Sequence, residues 1–120
     1  MNMQTVPFVD KQTIIAATAG TGSFVYDMKG IDRASLQLNS TFSIGGSTGV
    51  VTLQVSNDGV NFVGFSTAKT VTFTGGTTDH ALFELGSIDY AFLQVSSAAP
   101  SAGTLALQGV LYGTGGSQVW

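Results

Sequence analysis

Side-chain polarity alternates with a period of two over most of this chain, and that pattern limits its fold more than any other feature. Leu36, Leu38, Phe42 and Ile44 alternate with Gln37, Asn39, Thr41 and Ser43. Val51, Leu53 and Val55 alternate with Thr52, Gln54 and Ser56, and Ala91, Leu93 and Val95 with Phe92, Gln94 and Ser96. Leu105, Leu107 and Leu111 share one parity, with Gly109 between them. Successive side chains of a strand point to opposite faces, so each run describes a strand with one buried face. No segment carries a 3.6-residue apolar stripe with caps. Thr, Val and Phe are abundant while Glu occurs once, which agrees with strand propensity.

Turn residues divide the runs: Ala19-Gly20-Thr21-Gly22, Lys29-Gly30, Gly45-Gly46-Ser47, Asn57-Asp58-Gly59, Gly75-Gly76, Leu85-Gly86-Ser87 and Pro100-Ser101-Ala102-Gly103. This punctuation predicts strands over 12–19, 23–29, 33–44, 48–56, 61–67, 70–74, 79–85, 89–97 and 103–113. A chain of 120 residues suits one domain. The expected fold is therefore all-β: a single antiparallel β-sandwich, jelly-roll-like, with about eight or nine strands. A short N-terminal arm (1–11) and a Gly-rich C-terminal tail (113–120) are expected to flank it.

Charge is where the composition departs from the ordinary. Asp, Glu, Lys and Arg make up 9% of residues, against about 25% in a typical domain. Surface polarity must rest on Thr, Ser, Asn and Gln, and such a surface resists association poorly. The four basic residues Lys11, Lys29, Arg33 and Lys69 cannot form a phosphate-tracking stripe, so no nucleic-acid partner is expected. The same scarcity, with no apolar run near the length of a membrane span, predicts no membrane partner. The start, MNMQTVPFVDKQ, lacks the basic and apolar regions of a secretory signal. With no Cys there is neither a disulfide framework nor thiolate chemistry.

Candidate chemistry is sparse. His80 is the only His and follows Asp79, but neighbours on a strand point to opposite faces. Glu84 is the only Glu, and no Asp is marked as its carboxylate partner. Gly45-Gly46-Ser47-Thr48-Gly49 lacks the Lys and helix of a phosphate loop. A zinc site without Cys would need more than one His. The expectation is no enzyme, no catalytic residue, no metal and no cofactor.

The stretch Asn57-Asp58-Gly59 reads as a hairpin turn, because Gly after Asn-Asp supplies a positive φ. A calcium loop would need a further acidic ligand, and none follows nearby. Leu-Gln recurs at 36–37, 53–54, 93–94 and 107–108, predicting Leu inside and Gln outside. That neutral outer face fits either a solvated sheet or one covered by another subunit. The chain ends Val119-Trp120, its only Trp, and Trp is enriched among interface anchors. Phe8, Val119 and Trp120 are the candidate interface residues. Tyr26, Tyr90, Tyr112, Phe62 and Trp120 are the aromatics from which a sugar platform could be built, but the sequence does not group them.

The segment Ser56-Asn57-Asp58-Gly59-Val60-Asn61-Phe62, preceded by its alternating strand, resembles a hairpin of small all-β virion proteins of bacteriophages. Asp89-Tyr90-Ala91-Phe92-Leu93-Gln94-Val95 and the Gly-Thr-Leu of 103–105 extend the likeness to about half the chain. Discoidin-like carbohydrate- or lipid-binding modules carry a similar turn, usually with Trp where Phe62 stands. The phage resemblance implies a structural protein of the virion: a capsid decoration or cement protein, or a tail component. It implies a homo-oligomer whose partners are other virion proteins, and no catalytic residue. The alternative is a carbohydrate- or receptor-binding module, such as a fibre tip, recognising a surface glycan.

Overall fold

The computed structural model describes the backbone of residues 2–17 and 22–119 and the side chains of residues 22–114. Nine strands are present among the described residues: β1 (Asn2–Ala17), β2 (Gly22–Asp27), β3 (Arg33–Phe42), β4 (Thr48–Ser56), β5 (Val63–Gly64), β6 (Thr70–Thr74), β7 (His80–Ser87), β8 (Phe92–Ser97) and β9 (Thr104–Val119). They form two antiparallel sheets. The first has the order β1-β9-β3-β7; the second runs β2-β8-β4-β5, with β6 also paired to β4. Consecutive strands mostly lie in opposite sheets, the jelly-roll arrangement.

The interior follows from the alternation. Leu36 and Leu38 of β3 and Leu107 and Leu111 of β9 point inward from the first sheet. They meet Phe24 and Tyr26 of β2, Val51 and Leu53 of β4, Phe73 of β6, and Leu93 and Val95 of β8. Most of these are 0–1% exposed. Each contributes about 1.5–3 kcal/mol of burial relative to exposure, which is what holds the two sheets face to face. The inward side of each Leu-Gln pair is Leu. Gln54 and Gln94 stand opposite one another on the outer side of the second sheet.

Several boundaries differ from the sequence expectation. The strand expected over 61–67 is reduced to Val63–Gly64, because side-chain-capped turns occupy the residues before it. The strand expected over 33–44 ends at Phe42. The chain bends there, leaving Ile44 49% exposed rather than inward. The strand expected over 12–19 begins at Asn2, and its partner β9 continues to Val119. The arm (1–11) and tail (113–120) expected from sequence therefore coincide, over their described residues, with the ends of two paired strands. β9 pairs with β3 only as far as Thr114↔Arg33. From Val6↔Gly115 to Asn2↔Val119 it pairs with β1 alone. The molecule measures 55 × 27 × 21 Å, much longer than it is thick.

Candidate functional site

Two surfaces collect the residues singled out by sequence: the turn after β4, and the outer face of the first sheet. At the turn, Ser56 closes β4 and caps the loop beyond it. Its Oγ accepts the N–H groups of Asp58 (3.2 Å) and Gly59 (3.0 Å) and donates to Asp58 Oδ1 (2.8 Å). Asp58 Oδ1 also accepts the N–H groups of Val60 and Asn61, each at 2.8 Å, and Oδ2 accepts Asn61 Nδ2 at 3.0 Å. Gly59 takes φ +75°, the left-handed region. Asn57 Oδ1 accepts the Ala91 N–H at 3.1 Å and ties the turn to the start of β8.

These donors hold the Asp58 carboxyl far below the usual carboxylate range; the Asn61 and Val60 N–H groups are the main cause, then Ser56 and the Asn61 side chain. The carboxylate is thus occupied by its own loop, which makes it a poor cation ligand. Beside it lies an open cleft of about 440 Å³, lined by Val55, Asn57, Asp58, Asn61, Asp89 and Tyr90 among others. Tyr90 packs edge-on against Phe65, with ring centroids 5.7 Å apart. Its hydroxyl is buried without a hydrogen-bond partner. Desolvation, followed by the charge of Asp89, pushes its pKa up to about 12. Tyr90 is therefore a half-buried wedge under the loop that also lines the open cleft.

On the first sheet, register places Gln37 opposite Leu82 and Val110, and Asn39 opposite His80 and Gln108. Gln37 Nε2 donates to Asn39 Oδ1 (2.8 Å), and Asn39 Nδ2 donates to Gln108 Oε1 (3.3 Å). His80 Nδ1 lies 2.9 Å from the same Asn39 Oδ1. An oxygen can only accept, so this network assigns the proton to His80 Nδ1. Asp79 turns away and accepts the Gly76 N–H at 3.2 Å. Among the described residues His80 is hydrogen-bonded to the Asn39 amide and to no carboxylate or hydroxyl.

Leu82 (62% exposed) and Tyr112 (49%) stand on this same face. At one end, the single Arg and the single Glu of the chain, Arg33 and Glu84, line a hollow of about 400 Å³ with Tyr112. They are not paired; the one ion pair among the described residues is Lys29–Asp27 at 3.4 Å.

The other sequence candidates lie elsewhere. Phe8 is opposite Gly113, and Val119 is opposite Asn2. Their side chains, and Trp120 altogether, lie outside the described residues. Tyr26 is 1% exposed in the core, Tyr112 is on the first sheet and Tyr90 is under the loop before β8, so these three tyrosines do not converge on one platform. Among the described residues no three His, Cys, Asp or Glu side chains come together, and no helix is long and apolar enough to cross a membrane. Sequence reasoning missed the paired ends of β1 and β9 and the open edge of β7. Polarity alternation marks faces, but it does not mark which strand lies at an edge.

No protein-family model matches the sequence, and no curated protein matches it. Solved structures do share the fold. The SPBc2 prophage-derived protein YomS is similar, with a TM-score of 0.54 at 10% identity, covering 88% of this chain and 95% of its own. The decameric BFDV capsid protein gives 0.52 at 8% identity, covering 98% and 100%. A Bacillus endospore appendage protein, from a family of disulfide-linked pili, gives 0.51 at 19% identity, covering 92% and 90%. At these identities the likeness establishes a shared all-β, jelly-roll-like architecture, one found in prophage, capsid and pilus proteins.

Proposed function

We propose that this chain is a structural protein of a bacteriophage virion, assembling as a symmetric homo-oligomer and binding neighbouring capsid or tail subunits. One observation carries the reading. Beyond Thr114 the first sheet narrows to a ribbon of β1 and β9 alone. A two-stranded ribbon is at best marginally stable in water and gains stability when a neighbour covers it. The ribbon holds Val119, and the chain continues from it to Trp120, the residues that a neighbour would bind. The sparsely charged outer face of the first sheet, with Arg33 and Glu84 at one end of it, and the shared architecture with prophage and capsid proteins support the same assignment. Binding would come from burial of neutral surface, at about 25 cal/mol per Å² of apolar area before association costs. No catalytic role is proposed.

The test is truncation after Thr114. That residue must stay, because its carbonyl accepts the Asp32 N–H at 2.8 Å. Deleting residues 115–120 is expected to leave the circular dichroism and cooperative melting of the sandwich in place while the protein no longer enters particles. Normal incorporation of the truncated chain would refute the role of the ribbon. Absence of the intact chain from purified particles would refute the virion assignment itself.

A second reading, a carbohydrate- or receptor-binding module, rests on the hollow of Arg33, Glu84 and Tyr112. It predicts glycan binding in solution that Tyr112→Ala removes.

A further inference from the structure

We infer that the open edge of β7 is the contact between copies of this chain, pairing antiparallel with β7 of a second copy about a two-fold axis at Leu82. The inference deepens the homo-oligomer reading above, on which it rests.

β7 ends the first sheet, and among the described residues its second edge pairs with no strand. Natural proteins usually blunt such edges with Lys, Pro or a bulge. β1, at the other end of the sheet, carries Pro7, Asp10 and Lys11. β7 reads His-Ala-Leu-Phe-Glu-Leu-Gly-Ser, with neither Pro nor Lys. Its one irregularity comes late: Ser35 pairs with Glu84 and Ala34 with Gly86, leaving Leu85 as the extra residue of a bulge. The regular, pairing-competent part is therefore His80 to Glu84, and Leu82 is its centre.

Backbone direction selects the register. Ser40 N–H donates to the Asp79 carbonyl at 2.7 Å, continuing the pairing Asn39↔His80. Hydrogen-bonding groups alternate sides along a strand. Ala81 and Phe83 thus direct theirs at β3, and His80, Leu82 and Glu84 direct theirs at the open edge. Two copies can then pair with Leu82 facing Leu82 and each His80 facing the other copy's Glu84, every facing pair exchanging both hydrogen bonds. Sliding one copy by two residues sets Leu82 against the other copy's His80 or Glu84, an apolar side chain against a polar one. Sliding it by four sets His80 against His80, leaving Glu84 without an imidazole opposite, or Glu84 against Glu84, where like charges oppose directly. The chosen register alone places the only carboxylate of the strand opposite an imidazole. It also joins the two exposed Leu82 side chains on one face, and on the other sets Phe83 beside the second copy's Ala81. Both Phe83 and Ala81 point inward yet remain only partly buried, as expected at an edge that nothing yet covers.

The intact chain provides the test. Sedimentation should show dimers or larger even-numbered species, and Leu82→Lys should lose them while keeping the wild-type circular dichroism and melting temperature. The chain has no Cys, so Leu82→Cys carries a single thiol close to its symmetry mate. A short bifunctional maleimide should couple it to a covalent dimer, and should leave Val60→Cys, at a position 77% exposed, uncoupled. If the wild type is oligomeric but Leu82→Cys fails to couple, copies meet elsewhere: the β7 contact falls and the homo-oligomer reading stands. A wild type that is monomeric at every concentration overturns both. Coupling at Leu82 in a protein absent from particles would keep the contact and sink the virion assignment.

Discussion

Gly109 of β9 lies against Tyr26 of β2 across the interior of the sandwich. A methyl group built at position 109 would come within 2.6 Å of the Tyr26 hydroxyl oxygen and 2.7 Å of the Phe24 ring. Those two rings pack edge to face, with centroids 5.3 Å apart. They fill the space that a fourth Leu in the series Leu105, Leu107, Leu111 would have taken.

Replacing Gly109 with Ala should therefore overpack the core and cost about 1–3 kcal/mol. Urea or thermal unfolding measures it. Gly64→Ala is the control. Its Cβ would meet open space, and its backbone is not left-handed, so its effect should stay within about 0.5 kcal/mol.

The Asp58 carboxylate should make the fold sensitive to acid. Its pKa is depressed in the folded state, against about 3.9 in an unfolded chain. The unfolded state then binds the proton first. The contribution to stability is complete above that unfolded value and is lost as pH falls toward the folded one. Asp58→Asn should be less stable than wild type at neutral pH, with the gap closing as pH falls below about 4. Melting temperature against pH for both proteins tests this, and parallel curves would refute it.

Ser47 should be costly to remove. It is 3% exposed, its Oγ donates to the Ala102 carbonyl at 2.8 Å, and it accepts the Ala102 N–H at 3.1 Å. It thereby joins the β3–β4 turn to the loop before β9. Ser47→Ala leaves both groups without this partner and should lose about 1–3 kcal/mol, read from the denaturation midpoint.

At the alkaline end, Tyr90 should dominate. Its pKa is pushed up to about 12 in the folded state, while an unfolded tyrosine ionises near 10. Between those values the unfolded chain releases the proton first, so stability is full below about 10 and falls as pH rises toward 12. Tyr90→Phe removes that slope. Because it also deletes a buried hydroxyl with no partner, it should leave neutral-pH stability unchanged or raise it by up to about 1 kcal/mol. Melting curves across the alkaline range provide the measurement.

The parity of Leu36, Leu53, Leu93 and Leu107 is legible in the sequence because each obeys a local rule. A strand with one dry face must place alternate residues there, and all four are buried with the following Gln outward. Ile44 breaks the rule because β3 ends two residues earlier, where Ser43 N–H bonds the Thr104 carbonyl and the chain turns. The cut-back of β5 has a similar origin: Asp58 holds Val60 and Asn61 in its own hydrogen bonds, so they cannot join a ladder. Of the candidate surface, the turn residues 57–59 could be named from sequence, since Asn, Asp and Gly bend the backbone locally. The network of Gln37, Asn39, His80 and Gln108 could not, because its members come from three strands whose adjacency no short window encodes.

The sequence by itself determined that the chain is a two-layered β protein, which residues face its interior and where it turns. These depend on side-chain polarity and backbone preference over a few neighbouring residues. Only the tertiary structure decided that β9 lies between β1 and β3, that β7 is left with an open edge, and that Gly109 must stay small beneath Tyr26. Each of these is a relation between segments distant in sequence, fixed by the one pairing of strands that closes both sheets over a common core.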